Sequence, residues 1–87
     1  SANQGASGIL NIDWEDVKGH TGNYKLYRGT TTDFYVDIDG DTPIYEGTNS
    51  DYSDTSLVTG NTYCYRVLAT SVNGRGNISD DFCNTAP

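Results

Sequence analysis

Four aspartates, Asp33, Asp37, Asp39 and Asp41, fall within nine residues, and Gly40 bends the chain among them. Hard divalent cations take several oxygen ligands at close range, and alternating Asp around a Gly bend supplies them. The four therefore form a candidate calcium site. Its affinity is expected to be weak, because ordering a long loop costs entropy. The glutamate that closes an EF-hand loop is absent at the required distance. The competing reading is a solvated acidic turn, in which Asp-Gly simply permits the reversal. No other cofactor is expected.

Catalysis fails on inventory. The single histidine, His20, sits in a turn cluster with no nucleophile or orienting acid beside it. The paired carboxylates lie in a loop, not in a formed cleft. The two cysteines, Cys64 and Cys83, read as one disulfide and hence an oxidising, extracellular compartment, against the alternative of two buried thiols. A non-enzyme is expected.

Charge narrows the partners. Twelve acids face five bases, for a net charge of −7. A duplex nucleic acid demands a basic stripe, and an anionic membrane would repel this chain. The excess is local: seven acids and no Lys or Arg lie between Gly29 and Tyr65. No apolar run is long enough to insert in a membrane, and no signal peptide is read.

The elements that must position these residues are short strands. Eighty-seven residues suffice for one domain, spanning 1–87, with residues 1–8 a linker or partial first strand and 85–87 an exit linker. Leu10, Ile12 and Trp14 alternate with polar residues, as in a strand with one buried face. Tyr24–Arg28 is the next strand, with Tyr24 and Leu26 inward. Pro43–Glu46 and a segment around Tyr52 are short strands. Tyr63–Thr70 is a longer strand, with Tyr63, Tyr65, Val67 and Ala69 on one face and Cys64, Arg66 and Leu68 on the other. Asn73-Gly74 makes a hairpin turn, and Ile78–Cys83 returns as the last strand, bringing Cys83 beside Cys64. The core is expected from Trp14, Tyr24, Leu26, Leu57, Tyr63, Tyr65 and Val67.

Three further features bear on contact. Lys25, Tyr27, Arg66 and Leu68 share an outward face, on which Tyr27 and Arg66 are candidate contact residues, Tyr27 as a platform for a sugar or a neighbouring domain. Ordinary cross-strand packing is the plainer reading. Asn73, Gly74 and Arg75 form an exposed hairpin tip, a candidate adhesive tripeptide. Asn77-Ile78-Ser79 has the pattern of a glycosylation site at Asn77.

One run collects most of these positions: Tyr52-x-Asp54-x-x-Leu57-x-x-Gly60-x-x-Tyr63-x-Tyr65-Arg66-Val67-x-Ala69, then Asn73-Gly74 and Ser79. With Trp14 and Tyr24-x-Leu26-Tyr27-Arg28 upstream, residues 9–85 resemble a fibronectin type III domain, in the form common as an accessory module of secreted microbial proteins. The resemblance implies an all-β fold, a seven-stranded immunoglobulin-like antiparallel β-sandwich with Greek-key links. It also implies a tyrosine corner at Tyr63, bonding backbone near Leu57 to Gly60. The family's first strand would begin before Ser1, so here it is short or missing, which should leave the Ile12 strand with an open edge. The connection from Gly29 to Thr42 is longer and more acidic than usual. The function implied is a non-catalytic spacer and interaction module of a larger secreted or surface protein. The alternative is an adhesion or carbohydrate-binding module with a calcium-ordered loop. Partners would be neighbouring domains of the same polypeptide, another copy of the chain, a surface protein or a glycan.

Overall fold

The computed structural model describes residues 1–15, 22–71 and 74–87. The alternation along Leu10–Trp14 becomes strand β2 (Leu10–Asp13), with Leu10 and Ile12 buried and Asn11 and Asp13 exposed. β2 is flanked by β1 (Ala2–Gln4) and β5 (Asp51–Asp54) in a three-stranded antiparallel sheet. The expected open edge on the Ile12 strand is therefore absent. Three residues before the first turn suffice to pair Ala2 with Ile12, Asn3 with Asn11 and Gln4 with Leu10.

The second sheet runs β4 (Tyr45–Gly47), β3 (Tyr24–Gly29), β6 (Thr62–Ser71), with β7 (Gly74–Ile78) and β8 (Phe82–Thr85) both on the far side of β6. β7 and β8 share one strand position, so three strands face four and all pairs are antiparallel. The described residues contain no helix. The continuous last strand expected over 78–83 is instead broken between Ile78 and Phe82. Ser79 explains the break. Its N–H donates to the Val67 carbonyl (2.8 Å), while its hydroxyl takes the Val67 N–H (2.8 Å) in place of a ladder carbonyl. A side-chain acceptor competing with the backbone in this way interrupts the strand and redirects the chain beyond it.

The core lies between the sheets and is built from Leu10, Ile12, Tyr24, Leu26, Leu57, Tyr63, Tyr65, Val67 and Ala86. Trp14, expected among its main members, is only partly buried and packs against it. It lies just past the last residue of β2 and caps one end, its ring edge-on to Tyr24 at 5.7 Å and tilted to Tyr45 at 6.3 Å. The exit linker expected at 85–87 is also held in the fold. Thr85 ends β8, Ala86 is 2% exposed, and the Pro87 carbonyl accepts from the Gly8 N–H (2.8 Å) and the Thr59 hydroxyl (2.9 Å).

The crossover from β5 to β6 closes on Tyr63, whose phenol oxygen accepts the Val58 N–H at 3.0 Å. Gly60 turns the chain there at φ +90°, a conformation that L side chains resist, and its N–H reaches the Ala86 carbonyl (3.0 Å). Tyr63→Phe keeps the ring and removes the acceptor, so a loss of about 1–2 kcal/mol is expected in urea unfolding. An unchanged midpoint would mean that the bond contributes nothing to folding.

Candidate functional site

The long connection after β3 makes the site. Gly29 ends β3, and Phe34 lies over it so closely that a Cβ at residue 29 would come within 2.4 Å of the ring. Asp33 adopts a left-handed turn (φ 53°), and its N–H donates to the Asp81 carboxylate at 2.7 Å. Its own carboxylate pairs with Arg66 at 3.6 Å, and the Arg66 guanidinium covers the Phe34 ring at 5.6 Å. These contacts fold the connection back onto the outer side of the second sheet as a strap.

The strap changes what that side presents. Tyr27, expected as an outward platform, is 3% exposed, and Cys64 and Leu68 beside it are buried. Tyr27 is thus removed as an exposed contact residue, and Arg66 is committed to Asp33, to Phe34 and, more distantly, to the Ser79 carbonyl (3.5 Å). The exposed aromatic is Tyr35, at 85%, which strand alternation could not reveal because it stands on the strap itself. Between strap and β3 opens a cleft of about 240 Å³, with Tyr27, Phe34, Tyr35, Arg28, Asp41 and Thr42 among its lining.

The four aspartates of the expected calcium site are not gathered. Asp37 accepts the Asp39 N–H (3.2 Å), and Asp41 accepts the Asp37 N–H (2.9 Å), so these carboxylates close a turn on themselves. Asp33 is turned away to Arg66. Among the described residues, three ligand-type atoms converge only at Cys64, Asp81 and Cys83, where both sulfurs belong to a disulfide. Because these carboxylates are not among the described groups whose ligand atoms converge, calcium and ionic-strength-matched sodium should shift the melting temperature equally, by screening alone. A rise specific to calcium and lost in Asp39→Asn would show the loop rearranging around an ion.

Asn73 and His20 lie outside the described residues, as do the side chains of Arg75 and Asn77, while Gly74 opens β7. Cys64 and Cys83 face each other in register across β6 and β8 and form the disulfide.

A second cluster joins residues of both sheets that no local spacing brings together. Arg28 at the end of β3 reaches across to Asp54 at the end of β5, donating to both carboxylate oxygens at 2.9 Å. Tyr65 on β6 donates its hydroxyl to the same carboxylate at 2.8 Å. Asp54 is 4% exposed, the Tyr63 ring lies under the guanidinium at 5.6 Å, and the group ties the two sheets together. Burial opposes the charge on Arg28, but the hydrogen bond to Asp54 and its negative charge prevail and raise the Arg28 pKa above its ordinary value. Burial pushes the Tyr65 phenol well above the usual tyrosine range, and the bond to the Asp54 carboxylate adds to this.

This cluster makes stability depend on pH. Tyr65 keeps its proton in the folded state after the unfolded chain has lost it, so this contribution is complete below about pH 10 and declines above it. Stability should fall by up to about 1.4 kcal/mol per pH unit above pH 10 from this group. Tyr65→Phe should flatten that limb in alkaline denaturation curves. An unchanged limb would assign it to other groups.

Two packed antiparallel sheets, three strands on four, with a tyrosine corner at the crossover, define the fibronectin type III fold. The chain is similar to the sixth fibronectin type III domain of human fibronectin type III domain containing protein 3, with a TM-score of 0.72 and 23% sequence identity. The alignment covers 100% of this chain and 87% of that one. No protein-family model and no curated protein matches the sequence. At this identity the likeness establishes the fold.

Proposed function

We propose that the chain is a non-catalytic spacer and interaction module of a larger secreted or surface protein. The observation that carries this reading is the stiffness of the exit pole, where the disulfide, the tyrosine corner, the Arg28–Asp54–Tyr65 cluster and the Pro87 contacts lie close together. The first strand is tied to the last there as well, the Asn84 amide donating to the Ala2 carbonyl and the Gln4 amide to the Thr85 carbonyl, both at 2.9 Å. A stiff body of 40 × 22 × 18 Å sets the spacing of its neighbours, and this requires no pocket. The disulfide supports an oxidising, extracellular setting. Both cysteines are bonded to each other, so neither offers a thiolate.

Spin labels attached at Ser1 and Pro87 test the reading. A rigid module gives one narrow distance distribution, with a mean of roughly 15–20 Å, set by the Ala2–Asn84 contact and about 3.3 Å per strand residue beyond it. A broad distribution would overturn it.

A further inference from the structure

We propose that the cleft between the strap and β3 is a binding site for a single neutral pyranose ring, the terminal or branching unit of a glycan, with Tyr35 as its stacking face. This goes beyond the spacer reading and does not depend on it. The cleft is preformed: Asp33, Arg66 and Phe34 pin one end of the strap, and the Ile44 N–H, donating to the Leu26 carbonyl at 2.8 Å, ties the other to β3. At about 240 Å³ it holds about eight waters of roughly 30 Å³ each, room for one six-membered ring and too little for a drug-sized ligand.

The lining selects the ligand's chemistry. Tyr27 and Phe34 give an aromatic floor and wall, and Tyr35 stands beside them at 85% exposure, where the fold gains nothing from it. A large exposed aromatic at the mouth of a cleft is a contact surface in waiting. Around these rings stand a carboxylate, a hydroxyl and a guanidinium, from Asp41, Thr42 and Arg28. Asp41 holds one backbone N–H, and a carboxylate has acceptor capacity for more. Both Arg28 bonds to Asp54 come from the single nitrogen Nη1.

Charge then eliminates the other classes. An anion would approach through Asp37, Asp39 and Asp41, and a cation would meet Arg28 at the wall. A wholly apolar ligand would strip water from Asp41 and Thr42 without replacing their hydrogen bonds. A neutral ring with a C–H-rich face for the aromatics and hydroxyls for the polar rim satisfies every group present.

The test is a ¹H–¹⁵N titration of the whole 87-residue chain with methyl β-D-glucopyranoside, methyl β-D-galactopyranoside and methyl α-D-mannopyranoside, each to about 50 mM, roughly fivefold above the weakest expected Kd. Lysine methylamide and inorganic phosphate serve as charged controls. At least one glycoside should shift Tyr27–Gly29, Phe34–Val36 and Asp41–Ile44 with a Kd of roughly 1–10 mM, as expected for one buried ring. Tyr35→Ala, at an exposed position, should leave the melting temperature unchanged and weaken binding about tenfold. Asp41→Asn should alter which glycoside is preferred. Absence of shifts with all three glycosides overturns the proposal, as do shifts that persist undiminished in Tyr35→Ala. Stronger shifts with the lysine derivative or phosphate overturn it equally, by assigning the cleft to a charged group.

Discussion

Arg28→Met is expected to cost about 3 kcal/mol at pH 7, the lower end of what removing one partner of a buried ion pair costs. The lower end applies because the guanidinium is itself a third exposed, whereas the Asp54 side chain is only 5% exposed. The penalty therefore arises from the carboxylate left behind. Without Arg28 it retains the Tyr65 hydroxyl and no cation, in a place water does not reach. In a domain this small the melting temperature should fall by roughly 12–24 °C. Because both bonds leave from one nitrogen, Arg28→Lys should recover more than half of the loss. Urea unfolding of the three proteins at pH 7 decides it. A deficit below about 1 kcal/mol would mean that the cluster is a surface ion pair of the ordinary weak kind.

The same cluster marks the limit of what alternation reveals. The inward faces of β2, β3 and β6 derive from a period of two, and the opposition of Cys64 to Cys83 from a last strand returning antiparallel along β6. Arg28 also obeys the period, falling on the same face as Tyr24 and Leu26. A charged residue in that phase at a strand end signals a buried partner, and Asp54 at the end of β5 supplies it. Sequence alone does not join the two, because the pairing links different sheets and has no local spacing.

The strap is illegible for a different reason. Its length and acidity are plain, but its course depends on Phe34 finding the bare backbone of Gly29 and on Arg66 meeting both Asp33 and the Phe34 ring. These are long-range contacts among residues that mostly look like loop. The burial of Tyr27 results from them, so an outward phase does not amount to exposure. The four aspartates have the same limit, since sequence counts carboxylates but does not show whether their oxygens converge. Ser79 belongs to this group as well: a hydroxyl replacing a carbonyl acceptor breaks a strand that its neighbours would continue.

Reduction of the Cys64–Cys83 bond is expected to lower stability by about 3 kcal/mol, the chain-entropy value for closing a loop of 19 residues in the unfolded state. The loop spans β7 and the Ser79–Asp81 break, and β8 beyond it pairs with β6 over only four residues. The crosslink therefore holds the segment least able to hold itself. Asp81, which accepts the Asp33 N–H that pins the strap, lies two residues from Cys83, so reduction should also loosen the strap. Thermal melts with and without dithiothreitol measure the effect, and the Cys64→Ala, Cys83→Ala double variant gives it without reductant. The melting temperature should fall by roughly 12–24 °C in either case. A domain of this size has a total stability of only about 5–10 kcal/mol. Gly29 pairs with Cys64 in the register that places Arg28 opposite Tyr65, so the disulfide and the ion-pair cluster support the same corner. Their losses together, about 6 kcal/mol, exceed the lower end of that total, and the reduced Arg28→Met protein is expected to be largely unfolded at about 25 °C. If that protein still unfolds cooperatively with a midpoint near the parent's, the exit pole does not hold the sandwich together, and the stiffness required of a spacer must come from elsewhere.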